Sequence, residues 1–190
     1  MWRASLTKSS RTPSRPAAVA AGIMVLALLH PLVCRSAETW REALPEAQAL
    51  GSGEMTWFGL RIYRATLWSA QRPFDATRTF ALQLHYHVGI GKERLVSTSI
   101  DEMARIGKGL IAADVLERWR TELNDAFVDV AAGDELIGVY LPMQGMELHN
   151  QRRLLAKIND IELANAFFGI WLDKATRDEA LRKRLRGESP

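Results

Sequence analysis

The chain has 190 residues, of which 47% are hydrophobic and 25% are charged, as in a globular domain with a short appendage rather than a disordered protein. The formal net charge is +3, but five basic residues lie within residues 1–37, which contain no Asp or Glu, so residues 38–190 carry a charge of −2. This distribution excludes the basic surface that a nucleic-acid-binding domain needs.

Residues 1–36 have the order of a secretory signal peptide: basic residues, an apolar run at 17–29 and a small-residue exit. Cys34 and Ser36 fit a small-x-small cleavage site that ends at Ser36. The alternative is a retained membrane anchor, but the unbroken apolar run is shorter than the roughly 20 residues that a spanning helix needs. We therefore predict that the leader is cleaved.

Cleavage after Ser36 leaves residues 37–190 as a single domain, periplasmic or secreted, with no stable membrane span. The only cysteine, Cys34, is removed with the leader, so the mature domain has no disulfide and no thiol chemistry. A domain of this size buries roughly 70% of its surface without covalent cross-links.

The stretch from Gly51 to Trp68 predicts two strands that meet at a corner formed by Trp57, Phe58 and Gly59, after a linker or short first element. Gly51 and Gly53 precede a strand and lack a later glycine, so they indicate a close backbone approach or a bulge rather than a dinucleotide motif. In the second strand, alternate side chains share a face. One face carries Leu60, Ile62, Arg64, Thr66 and Trp68, and the other carries Arg61, Tyr63, Ala65 and Leu67.

The clearest strand is Phe80–Val88, in which Phe80, Leu82, Leu84, Tyr86 and Val88 form an apolar face. Two helices are predicted after it. The first runs from Lys92 to Ile106 and is stopped by Gly107, and the second runs from about Ala113 to Phe127. Asp114 and Glu117 resemble a capping box for the second helix.

Strand patterns then return, followed by two more helices. We predict strands at Glu135–Met143, Met146–His149 and Arg153–Ile158, with a turn at Gln144-Gly145. Asp160 is the expected cap of a helix that reaches Leu172. Thr176 and Glu179 are the expected capping box of the last helix, which Gly187 stops. This element order predicts an α+β fold with a mainly antiparallel sheet.

The sequence contains few features that indicate a metal site, a cofactor site or a catalytic nucleophile. His85 and His87 have a spacing that can chelate a metal, with His149 as a third ligand, but such residues are more simply the polar side of a half-buried strand. HExxH, CxxC and GxSxG patterns are all missing from the sequence. We predict no metal site, no cofactor and no catalytic residue.

Two groups of basic residues remain open to interpretation. Arg61 and Arg64 flank Tyr63, and together they either orient an anionic or phenolic ligand or face water on an outer strand. Arg182, Lys183 and Arg184 form either a solvated helix face or a site for a protein partner.

Four segments resemble the bacterial branch of the chalcone isomerase-like proteins: FGLRIYRATLW (58–68), FALQLHYHVGIG (80–91), GDELIGVYLPMQGMEL (133–148) and FFGIWLDKATRDEALRKRLRG (167–187). The resemblance implies an open-faced β-sandwich, in which a helical layer packs on a large antiparallel sheet with a ligand cleft between them. Some members of this family are isomerases that close a chalcone, and others bind fatty acids without catalysis.

The resemblance also bears on catalysis. It places Met55 where the plant enzymes have a substrate-binding arginine, which removes the partner for a developing negative charge. We therefore expect an exported protein that binds a fatty acid or another amphipathic carboxylate without chalcone cyclisation. The expected ligand contacts are Tyr63, Arg61, Arg64, Phe80, Leu84, Trp119 and Phe127. The alternatives are an isomerase or intramolecular lyase with Tyr63 as proton donor, and an envelope interaction module.

Overall fold

The computed structural model describes residues 39–188, so the predicted signal peptide and Cys34 lie outside the described residues. These residues form one six-stranded sheet in which each strand pairs antiparallel with the next strand along the chain. The strands are β1 (Gln48–Trp57), β2 (Leu60–Ser69), β3 (Phe80–Tyr86), β4 (Glu135–Leu141), β5 (Gly145–Asn150) and β6 (Leu154–Ile158).

Four α-helices complete the described part of the fold: α1 (Lys92–Ile106), α2 (Ala113–Ala126), α3 (Ile161–Leu172) and α4 (Glu179–Leu185). The first two connect β3 to β4, and the last two follow β6 and contact β5, β1 and β2. The predicted α+β class, the antiparallel sheet and the open-faced arrangement of sheet and helices are all confirmed. No helix within residues 39–188 has the length and apolarity to cross a membrane.

Apolar side chains occupy every second position of β3, which explains why the helices cover one face of the sheet. Phe80, Leu82, Leu84 and Tyr86 are each at most 5% exposed and belong to the main core with the helices. Their register partners on β2 and β4 point to the same side, because side chains of paired residues lie on one face. The apolar face predicted for this strand therefore forms the side of the core that the sheet contributes.

The opposite face of the sheet has a small core of its own. A short 3₁₀ helix, Trp40–Glu42, and Leu44 lie over Ala81 and Ile137. The Arg41 guanidinium lies against two neighbouring indole rings, 4.3 Å from the ring centre of Trp40 and 4.4 Å from that of Trp68. The segment before β1, predicted as a linker or short element, thus covers part of the outer face.

The glycine pair is a close-approach site, as predicted. A Cβ at Gly51 would lie 1.8 Å from the backbone oxygen of Arg184, and a Cβ at Gly53 would lie 2.7 Å from the Leu181 side chain. Helix α4 can therefore lie directly on the backbone of β1 only because both positions lack a side chain.

Two of the predicted helix caps are wrong. Helix α2 has Ala112 at its N-cap without a side-chain hydrogen bond, since the helix begins one residue before Asp114. Helix α4 is capped by Asp178, whose carboxylate accepts from Leu181 N at 2.7 Å. The Thr176 hydroxyl instead donates to the carbonyl oxygen of Ile170, at the end of α3. The cap predicted at Asp160 is confirmed by its hydrogen bond from Leu163 N at 2.8 Å.

We expect Gly51→Ala to lower the free energy of unfolding by about 2 kcal/mol or more, because the added methyl must push α4 away from β1. Ser52→Ala is the matched control, since Ser52 is exposed on the opposite face and its replacement should change stability by less than about 0.5 kcal/mol. Denaturant titration measures both values. Equal stability of the two variants would contradict the role given to the close approach.

Candidate functional site

Three aromatic side chains meet where the second and third strands face α3. Tyr63 on β2 pairs with Met55 on β1 and with Tyr86 on β3. The two tyrosine rings are 5.7 Å apart in an edge-to-face arrangement. Trp171 of α3 donates its indole N–H to the Tyr63 hydroxyl at 2.9 Å. This cluster, which we call the tyrosine pair, joins the sheet to the helical layer.

Both hydroxyl groups of the tyrosine pair can still donate a hydrogen bond. The Tyr63 oxygen accepts from Trp171, but its proton has no acceptor among residues 39–188, and the Tyr86 hydroxyl makes no hydrogen bond there. Burial raises the pKa of Tyr63 to about 12, outweighing the Trp171 hydrogen bond, with a further contribution from the carboxylates of Asp178 and Glu102. Burial also raises the pKa of Tyr86. At neutral pH both groups are protonated donors.

An ion network lies beside the tyrosine pair and connects α1 to the α3–α4 connection. Glu102 of α1 accepts from Arg177 Nε at 2.6 Å and from an Arg105 terminal nitrogen at 2.8 Å. Arg105 also donates to the carbonyl oxygen of Ala175 at 2.9 Å. Partial burial acts to raise the pKa of Glu102, but the hydrogen bonds from both arginines outweigh it and hold the pKa below its usual range.

The structure does not group the two predicted arginine contacts with Tyr63. The expected alternation of Tyr63 and Arg61 is interrupted by a bulge, because Met55 pairs with Tyr63 while the next residue, Thr56, pairs with Arg61, whose side chain is exposed. Arg64 lies on the outer face, where its guanidinium binds the Glu54 carboxylate at 2.8 Å. The structure thus does not bring Arg64 to the side of Tyr63, and it leaves Arg61 exposed beyond the bulge.

The four predicted apolar contacts are buried in the core. Phe80, Leu84, Trp119 and Phe127 are between 2% and 5% exposed and belong to one cluster, against which Tyr63 packs. The Trp119 indole N–H donates to Asp160 at 3.0 Å, which ties α2 to the start of α3. These residues lie between the sheet and the helices, and their contact with a ligand stays a prediction.

A cavity within residues 39–188 lies elsewhere. It is a groove of about 770 Å³ between α1 and α2, lined by Gly91, Glu93, Arg94, Val96, Ser97, Glu117, Arg120, Thr121 and Asn124. None of the predicted ligand contacts lines this groove.

His85 and His87 contact each other edge to face at 5.8 Å, and each also lies beside a glutamate on the outer face. His87 lies 2.9 Å from Glu54, and His85 lies 3.6 Å from Glu135. Strand β4 separates β3 from β5, which carries His149. Among the described residues no three His, Cys, Asp or Glu side chains form a group that could hold a metal ion.

Sequence analysis missed a buried hydrogen-bonded pair of histidine and glutamate on β5. His149 is 1% exposed and lies 3.0 Å from Glu147, which also binds the Lys157 ammonium group at 2.8 Å. The other ring nitrogen of His149 has no hydrogen-bond partner. His149 pairs with Ile137 of β4, and Glu147 pairs with Val139. These two apolar residues on the outer face of β4 were the sequence feature that could have predicted the burial of His149 and Glu147.

The basic run of α4 is largely occupied within the chain. Arg182 donates to the carbonyl oxygen of Leu172 at 3.0 Å, and Lys183 pairs with Glu179 at 3.0 Å. The Arg184 side chain lies against Gly53. A protein partner at these three residues stays a prediction.

We expect Glu102→Gln to cost about 1 to 2 kcal/mol at neutral pH, because the amide loses the charged hydrogen bonds to Arg105 and Arg177. The Glu102 pKa is lowered by folding, so its stabilisation is present above the pKa of the unfolded chain and is lost as pH falls through the folded pKa. The difference from the natural chain should therefore shrink on acidification. Urea titrations from neutral to acidic pH measure it.

Asp101→Asn is the matched control, since Asp101 is exposed on the same helix and makes no ion pair within residues 39–188. A stability loss at Glu102→Gln that persists unchanged in acid would show that the charge of Glu102 is not responsible.

Comparison with known proteins places this geometry in a family. The sequence profile described as Chalcone isomerase-like matches residues 50–187. Among solved structures, a fatty-acid binding protein of Arabidopsis thaliana is similar, with a TM-score of 0.59 and 10% identity over 80% of this chain and 90% of that chain. That likeness shows a shared fold. No curated protein sequence matches significantly. Because the profile covers well over half of the sequence, the chain belongs to the chalcone isomerase-like family.

Proposed function

We propose that the mature domain binds a fatty acid or a similar amphipathic carboxylate between the sheet and the helical layer, without chalcone cyclisation. The observation that carries the proposal is the tyrosine pair. Tyr63 and Tyr86 present two protonated hydroxyl groups without acceptors within residues 39–188, between the apolar core and the Glu102 ion network. An oxygen of a ligand head group would accept a hydrogen bond from each of them.

The charges around the tyrosine pair indicate that a ligand head group would be held by hydrogen bonds more than by ionic attraction. Glu102 and Asp178 raise the pKa of Tyr63, and Arg105 and Arg177 bind Glu102. Two carboxylates and two guanidinium groups carry no net charge. The head group is therefore held by the directed donors of Tyr63 and Tyr86.

The apolar part of the ligand would lie against the core residues between sheet and helices. Phe80, Leu84, Trp119 and Phe127 are closely packed with α1, α2 and α3. Entry of an alkyl chain therefore requires the helical layer to separate locally from the sheet. The Trp171–Tyr63 hydrogen bond and the Glu102 network are the polar contacts that such a movement would break.

The fold comparison supports the ligand class. A protein described as fatty-acid binding shares this architecture over most of both chains, although at 10% identity its binding residues do not transfer. Absence of cyclisation rests on Met55, which pairs with Tyr63 and stands where the resemblance places the arginine of the plant enzymes. Export of the domain rests on the signal-peptide pattern of residues 1–36.

One observation favours a second candidate, an isomerase with Tyr63 as proton donor. The Trp171 N–H donates to the Tyr63 oxygen and would stabilise the phenolate left after proton transfer, which burial of Tyr63 opposes by raising its pKa. Loss of turnover of an identified substrate in Tyr63→Phe, with ligand affinity retained, would favour this candidate. Full turnover in that variant would dismiss it.

We expect a long-chain fatty acid to raise the melting temperature of the purified protein, and Tyr63→Phe and Tyr86→Phe each to weaken its binding about five-fold, since each loses one hydrogen bond. Tyr140→Phe is the control. Tyr140 is the third tyrosine and lies on the same face, but its β2 neighbour through β3 is Ser69, roughly 20 Å along the sheet from Tyr63. Calorimetric titration gives the affinities.

Two outcomes would contradict the proposal. One is the absence of any shift in melting together with no lipid in the mass spectrum of the purified protein. The other is equal affinity in Tyr63→Phe, Tyr86→Phe and Tyr140→Phe, which would place the ligand away from the tyrosine pair.

A further inference from the structure

The hairpin between the first two strands projects beyond the rest of the sheet. Pairing between β2 and β3 ends at Tyr63 and Tyr86, with one further bond from His87 N to Ile62 O at 2.8 Å. Residues 56–61 lie past that point, and every one of them is exposed. We call residues 56–61 the hairpin tip.

The hairpin tip is apolar, which is unusual for a solvated turn. Phe58 is 94% exposed, Leu60 is 57% exposed and Trp57 is 55% exposed. The rings of Trp57 and Phe58 contact each other edge to face at 5.1 Å, and neither belongs to a core cluster. Three large apolar side chains therefore face water together, which marks an interaction site more often than chance exposure.

The backbone of the hairpin tip strengthens this inference. Phe58 has φ = +46° and Gly59 has φ = +79°, as in the tight hairpin turns that favour Asn-Gly. A bulky residue with positive φ is strained, and packing does not explain it here, because almost the whole ring is exposed. Strain of this kind is characteristic of functional positions.

The hairpin tip also carries a free positive charge. Arg61 is exposed and makes no ion pair within residues 39–188. The next arginine on the strand, Arg64, is instead neutralised by Glu54. Aromatic side chains beside an unpaired arginine complement the interface of an anionic bilayer, where rings lie at the head-group level and cations contact phosphates.

We propose that the hairpin tip docks on the surface of an anionic lipid bilayer, with Trp57 and Phe58 inserted among the head groups and Arg61 on the phosphates. The unpaired Arg61 beside exposed aromatic rings favours an anionic bilayer, whose phosphates complement the arginine and whose head-group region accepts the rings. Docking does not require fatty-acid binding, but it would hold Tyr63, three residues from Leu60, near the phase in which an amphipathic ligand dissolves.

Fluorescence of a polarity-sensitive dye tests this in the full chain. The dye is attached to a cysteine introduced by Thr56→Cys in a Cys34→Ser background, and vesicles contain phosphatidylcholine and phosphatidylglycerol in equal parts. We expect a blue shift and brighter emission on adding vesicles. A dye at Ala76→Cys, which is exposed in the β2–β3 connection at the opposite end of these strands, should not respond.

Phe58→Gly removes the inserted ring without disturbing the fold, since glycine accepts the positive φ of this position. It should raise the lipid concentration for half-maximal response of the Thr56→Cys dye about tenfold. Arg61→Gln should remove the preference for anionic over neutral vesicles.

No response at position 56, an equal response at position 76, or an unchanged response in Phe58→Gly would each overturn the proposal. An absent response would indicate that the hairpin tip contacts another protein instead of a bilayer. The tyrosine pair is tested separately by calorimetry in solution, so failure of docking and failure of ligand binding are distinguishable.

Discussion

Direct contact between helix α4 and the backbone of β1 is the constraint on which the arrangement of the site depends. Gly51 and Gly53 leave room for the Arg184 carbonyl oxygen and the Leu181 side chain, which no residue with a Cβ could provide. With α4 fixed there, the connection from α3 brings Arg177 to Glu102 of α1. The same helical layer presents the Trp171 indole to Tyr63.

That arrangement accounts for the chemistry available at the tyrosine pair. Two phenols with raised pKa values can donate hydrogen bonds, and they resist acting as bases at neutral pH. The neighbouring charges balance, so the site offers directed donors with apolar walls instead of a strong field. Such an environment suits retention of an amphipathic molecule, and Met55 adds no positive charge where the resemblance places a catalytic arginine.

Sequence periodicity predicted those parts of the fold that depend on local order. Alternation identified the apolar face of β3, helical spacing placed α1 at Lys92–Ile106, and Asp160 was recognised as a cap. The glycine pair was interpreted correctly because a close approach is the simplest use of two glycines in a strand. The outer-face cover by Trp40 was not foreseen, since a short segment beside a proline carries no periodic signal.

The site itself was only partly predictable, because its contacts join distant parts of the chain. Tyr63 was selected from its strand, but nothing local indicates that its partner is Trp171, 108 residues later. The link from Glu102 to Arg177 spans 75 residues and was equally hidden. Arg64 was grouped with Tyr63 by proximity in sequence, although strand alternation already placed the two on opposite faces.

The most direct measurement follows the indole N–H signals in an NMR titration with a fatty acid. The chain has six tryptophans, and Trp40 and Trp68, which pack together on the outer face, serve as internal references. Binding at the tyrosine pair should shift the Trp171 signal most, because its hydrogen bond to Tyr63 lies at the head group. A Trp171 signal that stays in place while the protein binds the fatty acid would contradict the account.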